Sequence, residues 1–435
     1  MHAALVKRPC SCVRQLARCD RAREMQFTRF LRNKAVTAKE IASYAAEQTA
    51  ARASERDIIV AQDTSELALG GRRAKADGYG PIGKGGALRG VLLHAALAVD
   101  ASTGGVIGLV DAEVWNRKGG KTKSRRSRKT AEKESQRWID TTQCAAKVLK
   151  KAASITVVSD RESDMYEYFA QRPEAVHLVV RACQNRRIAT DEGEQIELLF
   201  AHMDALPEQG RSKVDIPAAP GRKARSSELA VRFAPIVLRR PRQCAATLPE
   251  TVALTMVDIR EVRPPAQGKP IHWRLITTRP VTNLKEASRA IEAYRMRWVS
   301  EEYFHTLKTG GFDVEAADIS EPEVMIRFVA AIAVAGVTVM QLVKARDGTT
   351  HQSALEVFEP TDLPILEAIS AGLPSRTARQ KNPYPQDSLA FAAWVIAHLG
   401  GWDGYYGKPG PKTMRLGLEA FERIKFGTGL RLRDV

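Results

Sequence analysis

The sequence predicts an α/β fold, a mixed five-stranded sheet with helices, carrying a β-rich insertion and followed by helical segments. Three observations predict it. Between residues 56 and 182, apolar β-branched runs and helix-like stretches follow in the order strand, strand, strand, helix, strand, helix, strand. From about 184 to 280 the chain alternates apolar and polar residues between Pro- and Gly-containing turns. From 282 onward the spacing of apolar residues is mainly helical.

Residues 1–24 hold three cysteines and several arginines without clean periodicity. Residues 25–54 read as helical, with Thr37 three positions before Glu40 as a capping-box start. "RDIIVAQDTSELAL" (56–69) opens with a short β-branched run that ends at Asp63. "GVLLHAALAVD" (90–100) and "GGVIGLVDAEVW" (104–115) read as a hairpin. A basic Gly/Ser loop (117–130) leads into a helix over 131–152. "SITVVSD" (154–160) is a buried strand that also ends on an aspartate, "RESDMYEYFAQ" is helical, and "AVHLVVRA" (175–182) is the fifth strand. The insertion's alternating segments are "SELAVRFAPIVL", "TVALTMVDIREV" and "IHWRLITTRPV". The longest apolar run, "FVAAIAVAGVTVM" (328–340), is too short to cross a bilayer and reads as a buried helix.

Composition narrows the function. The 435 residues carry 67 Lys and Arg against 50 Asp and Glu, a net charge of +17 that suits a polyanion such as nucleic acid. At 44% hydrophobic residues the chain is globular, not a basic disordered tail. No apolar segment follows the N-terminal cations, which predicts no secretory signal. Cys10, Cys12, Cys19, Cys144, Cys183 and Cys244 lack Cys-x-x-Cys or Cys/His spacing, which points to free thiols and away from zinc.

The stretch "AYRMRWVSEEYFHTLKTG" (293–310) places Tyr294, Arg297, Glu301 and Lys308 at intervals of three, four and seven, one face of an α-helix. A solvated face with intrahelical ion pairs would have the same pattern. Asp63 and Asp160 end apolar strands, at the edge where ligands collect in open α/β sheets, although strand-end aspartates also start turns. Three converging carboxylates can hold two Mg²⁺ ions about 3.5–4 Å apart, the arrangement for in-line displacement at phosphorus. Hard oxygen donors without His or Cys favour Mg²⁺, with Mn²⁺ as a substitute, over zinc. Arg297 and Lys308 would then grip phosphates on either side, and Tyr294 would donate a hydrogen bond to another.

These residues resemble the bacterial cut-and-paste DDE transposases of the insertion-sequence-four family. The Tyr-x2-Arg-x3-Glu-x6-Lys signature is present in full at Tyr294, Arg297, Glu301 and Lys308. "AQDTSEL" (61–67) looks like the first-aspartate motif and "SDRESDMYEYF" (159–169) like the Asp-Arg-Glu motif of the second. "EKESQRW" (132–138), "WRLITTRPV" (273–281) and "LGGWDGYYGKPGPKT" (399–413) also match, and the likeness runs from about residue 25 to 428.

The resemblance implies a ribonuclease-H-like catalytic core (55–183) with a β-rich insertion (184–281), the catalytic glutamate helix and core completion (282–345), and a C-terminal helical dimerisation region (346–435). It implies Asp63, Asp160 and Glu301 as a triad binding two metal ions, with Tyr294, Arg297 and Lys308 on DNA. Trp273 matches an aromatic that fills the space left by a flipped base, though an ordinary core tryptophan reads the same way. Arg161, Glu162 and Asp164 match the Asp-Arg-Glu motif and would support the metals; Arg161 could equally be a structural ion-pair partner. Lys121, Lys123, Arg125 and Arg126 lie in a loop with eight cations in thirteen residues, read as phosphate contacts beside the plainer readings of a targeting signal or a solvated loop.

The implied activity is metal-dependent cleavage at inverted-repeat ends and strand transfer into target DNA through a hairpin intermediate. A homodimer in a synaptic complex would carry it out, associated with the bacterial nucleoid in the cytoplasm and with no membrane. Two departures stand out. The helical DNA-binding region (1–54) looks truncated, with residues 1–24 like unrelated or out-of-frame sequence, and "RGVLLH" replaces the aromatic pair of the family's best-known member. Those departures keep an alternative open, a truncated non-catalytic regulator that inhibits full-length subunits by mixed dimerisation. A host nuclease of the same core would have no reason to carry the full Tyr-Arg-Glu-Lys helix.

Overall fold

The computed structural model describes residues 1–70, 77–118, 133–189, 196–216, 224–265, 270–373, 377 and 380–431. The chain opens with helices α1 (His2–Lys7), α2 (Val13–Leu16), α3 (Arg21–Arg32) and α4 (Ala38–Arg52). Strands β1 (Asp57–Ala68), β2 (Gly80–Ile82), β3 (Leu88–Asp100) and β4 (Val106–Trp115) follow. Helix α5 (Gln136–Val148), β5 (Ser154–Ser159), α6 (Tyr166–Ala170) and β6 (Val176–Arg181) alternate. The insertion contributes β7 (Arg187–Ala189), β8 (Ile196–Leu198), α7 (Leu199–Ala205), β9 (Gly210–Ile216), β10 (Arg225–Arg239), β11 (Thr251–Glu261) and β12 (His272–Thr277). Helices α8 (Leu284–Arg295), α9 (Trp298–His305), α10 (Pro322–Ala345), α11 (Leu363–Gly372), α12 (Leu389–Leu399) and α13 (Pro411–Arg431) complete it.

The fold is mixed α/β around one mixed sheet, ordered β2-β3-β1-β5-β6-β12-β11-β10-β7-β8, with β4 also on β3 and β9 on β10. Only the β1–β5 and β5–β6 pairs are parallel among the described strands. β12 pairs antiparallel with β6, Leu275 opposite Arg181, so the insertion continues the same sheet. Helix α10 is buried on nearly all sides, from Val324 to Ala345, because its apolar residues surround the axis. It is the one described helix long and apolar enough to cross a membrane, and 83% of its most apolar stretch is buried in the fold. The run at 328–340 thus lies inside a longer helix than the sequence reading drew.

Local chemistry sets the helix starts. Thr37 Oγ1 accepts the Glu40 amide at 3.1 Å while Glu40 Oε2 accepts the Thr37 amide at 2.9 Å, the expected capping box. Asp20 caps α3 by accepting the amides of Ala22 and Arg23, so helix begins inside the segment that lacks periodicity. Leu5 and Leu16 of α1 and α2 are buried there, but helices of six and four residues are too short to register as a repeat.

Two expectations are corrected. Residues 293–310 do not form one helix: α8 and α9 meet at Met296 and Arg297, and Thr306–Gly310 is a π-turn. At the junction the amides of Arg297, Val299 and Ser300 bond three residues back, at 2.9–3.1 Å. Such tightened turns overwind the chain, and the π-turn underwinds it, so spacings counted at 3.6 residues per turn lose their phase. Nor does β1 end at Asp63. It runs on to Ala68 because β3 continues beside it, Asp63 facing Ala95 and Ala68 facing Gly90. On the other side, pairing with β5 stops at Ala61 and Val158, which leaves Asp63 just past the end of that neighbour.

Candidate active site

Asp63, Asp160 and Glu301 come from three elements. Asp63 projects from β1 beyond the last β5 pair, and Asp160 follows β5 directly. Glu301 is in the first turn of α9. Arg297, at the α9 N-cap, joins two of them: Nη1 donates to Asp63 Oδ2 at 2.7 Å and Nη2 to Glu301 Oε1 at 2.9 Å. Asp63 and Arg297 are 234 positions apart in the chain. Asp63 Oδ1 accepts its neighbouring Thr64 amide at 2.8 Å. Burial is the main cause that pushes the Asp63 carboxyl up to about 7; Arg297 opposes it, and the nearby charges of Asp160 and Glu301 add to it. Asp160 also plays the plainer role, accepting the Glu162 amide at 2.9 Å to start a short 3₁₀ turn.

As they stand, no three His, Cys, Asp or Glu side chains among the described residues are gathered closely enough to hold a metal ion. A guanidinium fills the space between Asp63 and Glu301. The donor set nevertheless suits a hard divalent cation: all oxygen, with three acidic groups against one intervening cation.

The remaining candidates have varied placements. Tyr294 is 5% exposed on α8, its ring edge-on to Trp273 at 5.7 Å and 5.9 Å from the Arg297 guanidinium. Trp273 is half-buried on β12. Lys308, in the π-turn, lies 3.6 Å from Glu315, whose Oε1 accepts the Ala68 amide at the end of β1. Arg161 is exposed. Asp164 is buried and committed elsewhere: it pairs with Arg186 and accepts the amides of Cys183 and Gln184 at 2.7 and 2.9 Å, fastening the chain that leaves β6. Lys121, Lys123, Arg125 and Arg126 lie outside the described residues. Arg117, at the start of that loop, is paired with Glu66 and Glu134.

Sequence reasoning missed the support behind Asp63. Arg137 of α5 lies over the rings of Trp115 and Trp138. Its Nε donates to Thr64 Oγ1 and its Nη2 to Glu162 Oε2, each at 2.9 Å. It therefore ties the residue after Asp63 to the residue two after Asp160. Thr64 Oγ1 also meets His94 Nδ1 at 2.8 Å, and burial holds that imidazole well below its usual pKa and hence neutral. The "EKESQRW" match contained Arg137, but nothing in its spacing indicated what it would touch. Trp298, 60% exposed directly after Arg297, is a second residue without an assigned role. No protein-family model matches the chain.

Proposed function

We propose that the chain is a metal-dependent DNA transposase of the cut-and-paste DDE type, which cleaves DNA at the ends of its element and joins the freed 3′-hydroxyls to target DNA. The single observation that carries this reading is the meeting of Asp63 and Glu301 on Arg297, with Asp160 near enough to raise the Asp63 carboxyl. A mixed five-stranded arrangement, β4-β3-β1-β5-β6, supports a ribonuclease-H-like core, and the net charge of +17 supports a DNA partner.

Asp63, Asp160 and Glu301 are the residues that would hold two Mg²⁺ or Mn²⁺ ions. Bound there, the metal supplies activation of the attacking water or 3′-hydroxyl and stabilisation of the departing oxygen. Arg297 and Lys308 bind the flanking phosphates, and Arg137 ties Thr64, beside Asp63, to Glu162, two residues after Asp160. Trp273 and Tyr294 pack edge-on beside Arg297, on the side where this reading places the transposon-end DNA. Cations of the 117–129 loop add sequence-independent phosphate contacts. Dimerisation through the C-terminal helices and a hairpin intermediate belong to the same reading.

The test is incubation with DNA flanking the reading frame and Mg²⁺. Wild type is expected to nick the element's end, and Glu301→Gln to lose nicking while its affinity for the duplex stays within about twofold of wild type. Cleavage by Glu301→Gln above a tenth of the wild-type rate removes Glu301 from the site. A wild type that cuts nothing, yet suppresses cutting by a longer homologous subunit, establishes the regulator instead.

A further inference from the structure

Arg297 has two roles that one geometry cannot satisfy. As a phosphate ligand it must turn its guanidinium toward DNA; in the free protein each terminal nitrogen donates to a carboxylate, one to Asp63 and the other to Glu301. Resting on the transposase reading above, we infer that Arg297 is a latch, which keeps the carboxylates closed to divalent cations until a DNA phosphate draws its guanidinium away.

The geometry supports this at each contact. Asp63 and Glu301 would hold the cation, and Arg297 already holds one oxygen of each, Asp63 Oδ2 and Glu301 Oε1. The other Asp63 oxygen is occupied by the Thr64 amide. A metal seated between the two carboxylates would share its place with a guanidinium, and two cations in one pocket repel. A phosphate offers the guanidinium the same fork of paired acceptors that a carboxylate does, so exchange of partners costs Arg297 little.

The position is suited to the movement. Arg297 sits at the junction between α8 and α9, and rotation about its own side-chain torsions redirects the guanidinium while the backbone of both helices stays in place. The Tyr294 ring lies beneath the guanidinium and is itself held by Trp273. Glu301, with 45% of its side chain exposed, can turn toward solvent once released, while Asp63 at 16% cannot. DNA and metal are then linked through one residue: whatever factor DNA gains from metal, metal gains from DNA.

Mn²⁺ binding to the full-length protein, followed by the electron paramagnetic resonance of the free ion, tests the latch without any cleavage. Wild type, Arg297→Ala and Arg297→Gln are compared, each checked for folding by circular dichroism, with and without saturating duplex from the flank of the reading frame. Without DNA, both variants are expected to bind Mn²⁺ about tenfold more tightly than wild type, within the usual range for coupled sites. DNA should raise wild-type affinity by a similar factor and leave the variants unchanged. Equal Mn²⁺ affinity of wild type and variants without DNA, or an intact DNA effect in the variants, overturns the latch. The Asp63→Asn/Glu301→Gln double variant separates the two ideas: Mn²⁺ binding that survives in it overturns the metal site and, with it, the transposase reading.

Discussion

Arg137 is nine-tenths buried, yet its ion-pair partner Glu162 has 64% of its side chain in solvent. Burial accordingly lowers the guanidinium's pKa. Its worth lies in what it aligns. Arg137→Met is expected to cost about 1–3 kcal/mol, since Thr64 loses a charge-assisted donor while Glu162 is left solvated; chemical denaturation measures it. Arg137→Lys should recover little, because one ammonium cannot reproduce a planar fork that reaches Thr64, Glu162 and the Glu134 carbonyl together. Of the site, Asp160 directly after β5 and Glu301 in a helix turn beside cations have a pattern local to a few residues, whereas Asp63 lies inside β1 with no cation near it in sequence. The partners of these carboxylates were not legible. Arg297 read as a DNA contact because Asp63, 234 positions away, cannot be seen from its neighbourhood. Asp164 read as metal support because its commitment to Arg186 depends on how the chain returns after β6.

At the scale of elements, period-two runs such as β10 and β11 could be read directly, while β2, β7 and β8, three residues each, are too short to show a period. The α8–α9 break was equally hidden, because no Gly or Pro marks it: the hydrogen bonds alone shorten there. Close helix packing at the C-terminal end leaves one sharp requirement. A Cβ on Gly417 of α13 would stand 1.8 Å from the Ile396 carbonyl oxygen of α12, backbone that has no rotamer to yield. Gly417→Ala should therefore force the two helices apart and lower the unfolding free energy by about 1–3 kcal/mol, the usual cost of overpacking. Thermal unfolding reads the loss, and an unchanged midpoint would mean that α13 docks more loosely than its contacts indicate.

For the whole molecule, the +17 charge sets how binding responds to salt. Each phosphate neutralised contributes about −0.9 to the slope of log affinity against log salt on duplex DNA. A duplex held by Arg297, Lys308 and the loop cations is expected to show a slope of about −5 or steeper, and titrations at several salt concentrations measure it; a flat response would leave the charge without a partner. The fold class could be read from the order of strands and helices, but the way the insertion attaches could not. Strand pairing between β6 and β12 joins distant segments, and no local pattern encodes it. That join has a practical corollary for anyone trimming the protein to a minimal core. Excising residues 184–281 would remove more than an appendage, for it would strip β6 of its outer neighbour and leave the backbone of Val179–Arg181, paired with Leu275–Thr277 in the whole protein, as an open edge. An open edge of that kind invites other chains to add to it, so the shortened protein is expected to come out of solution before its chemistry can be assayed.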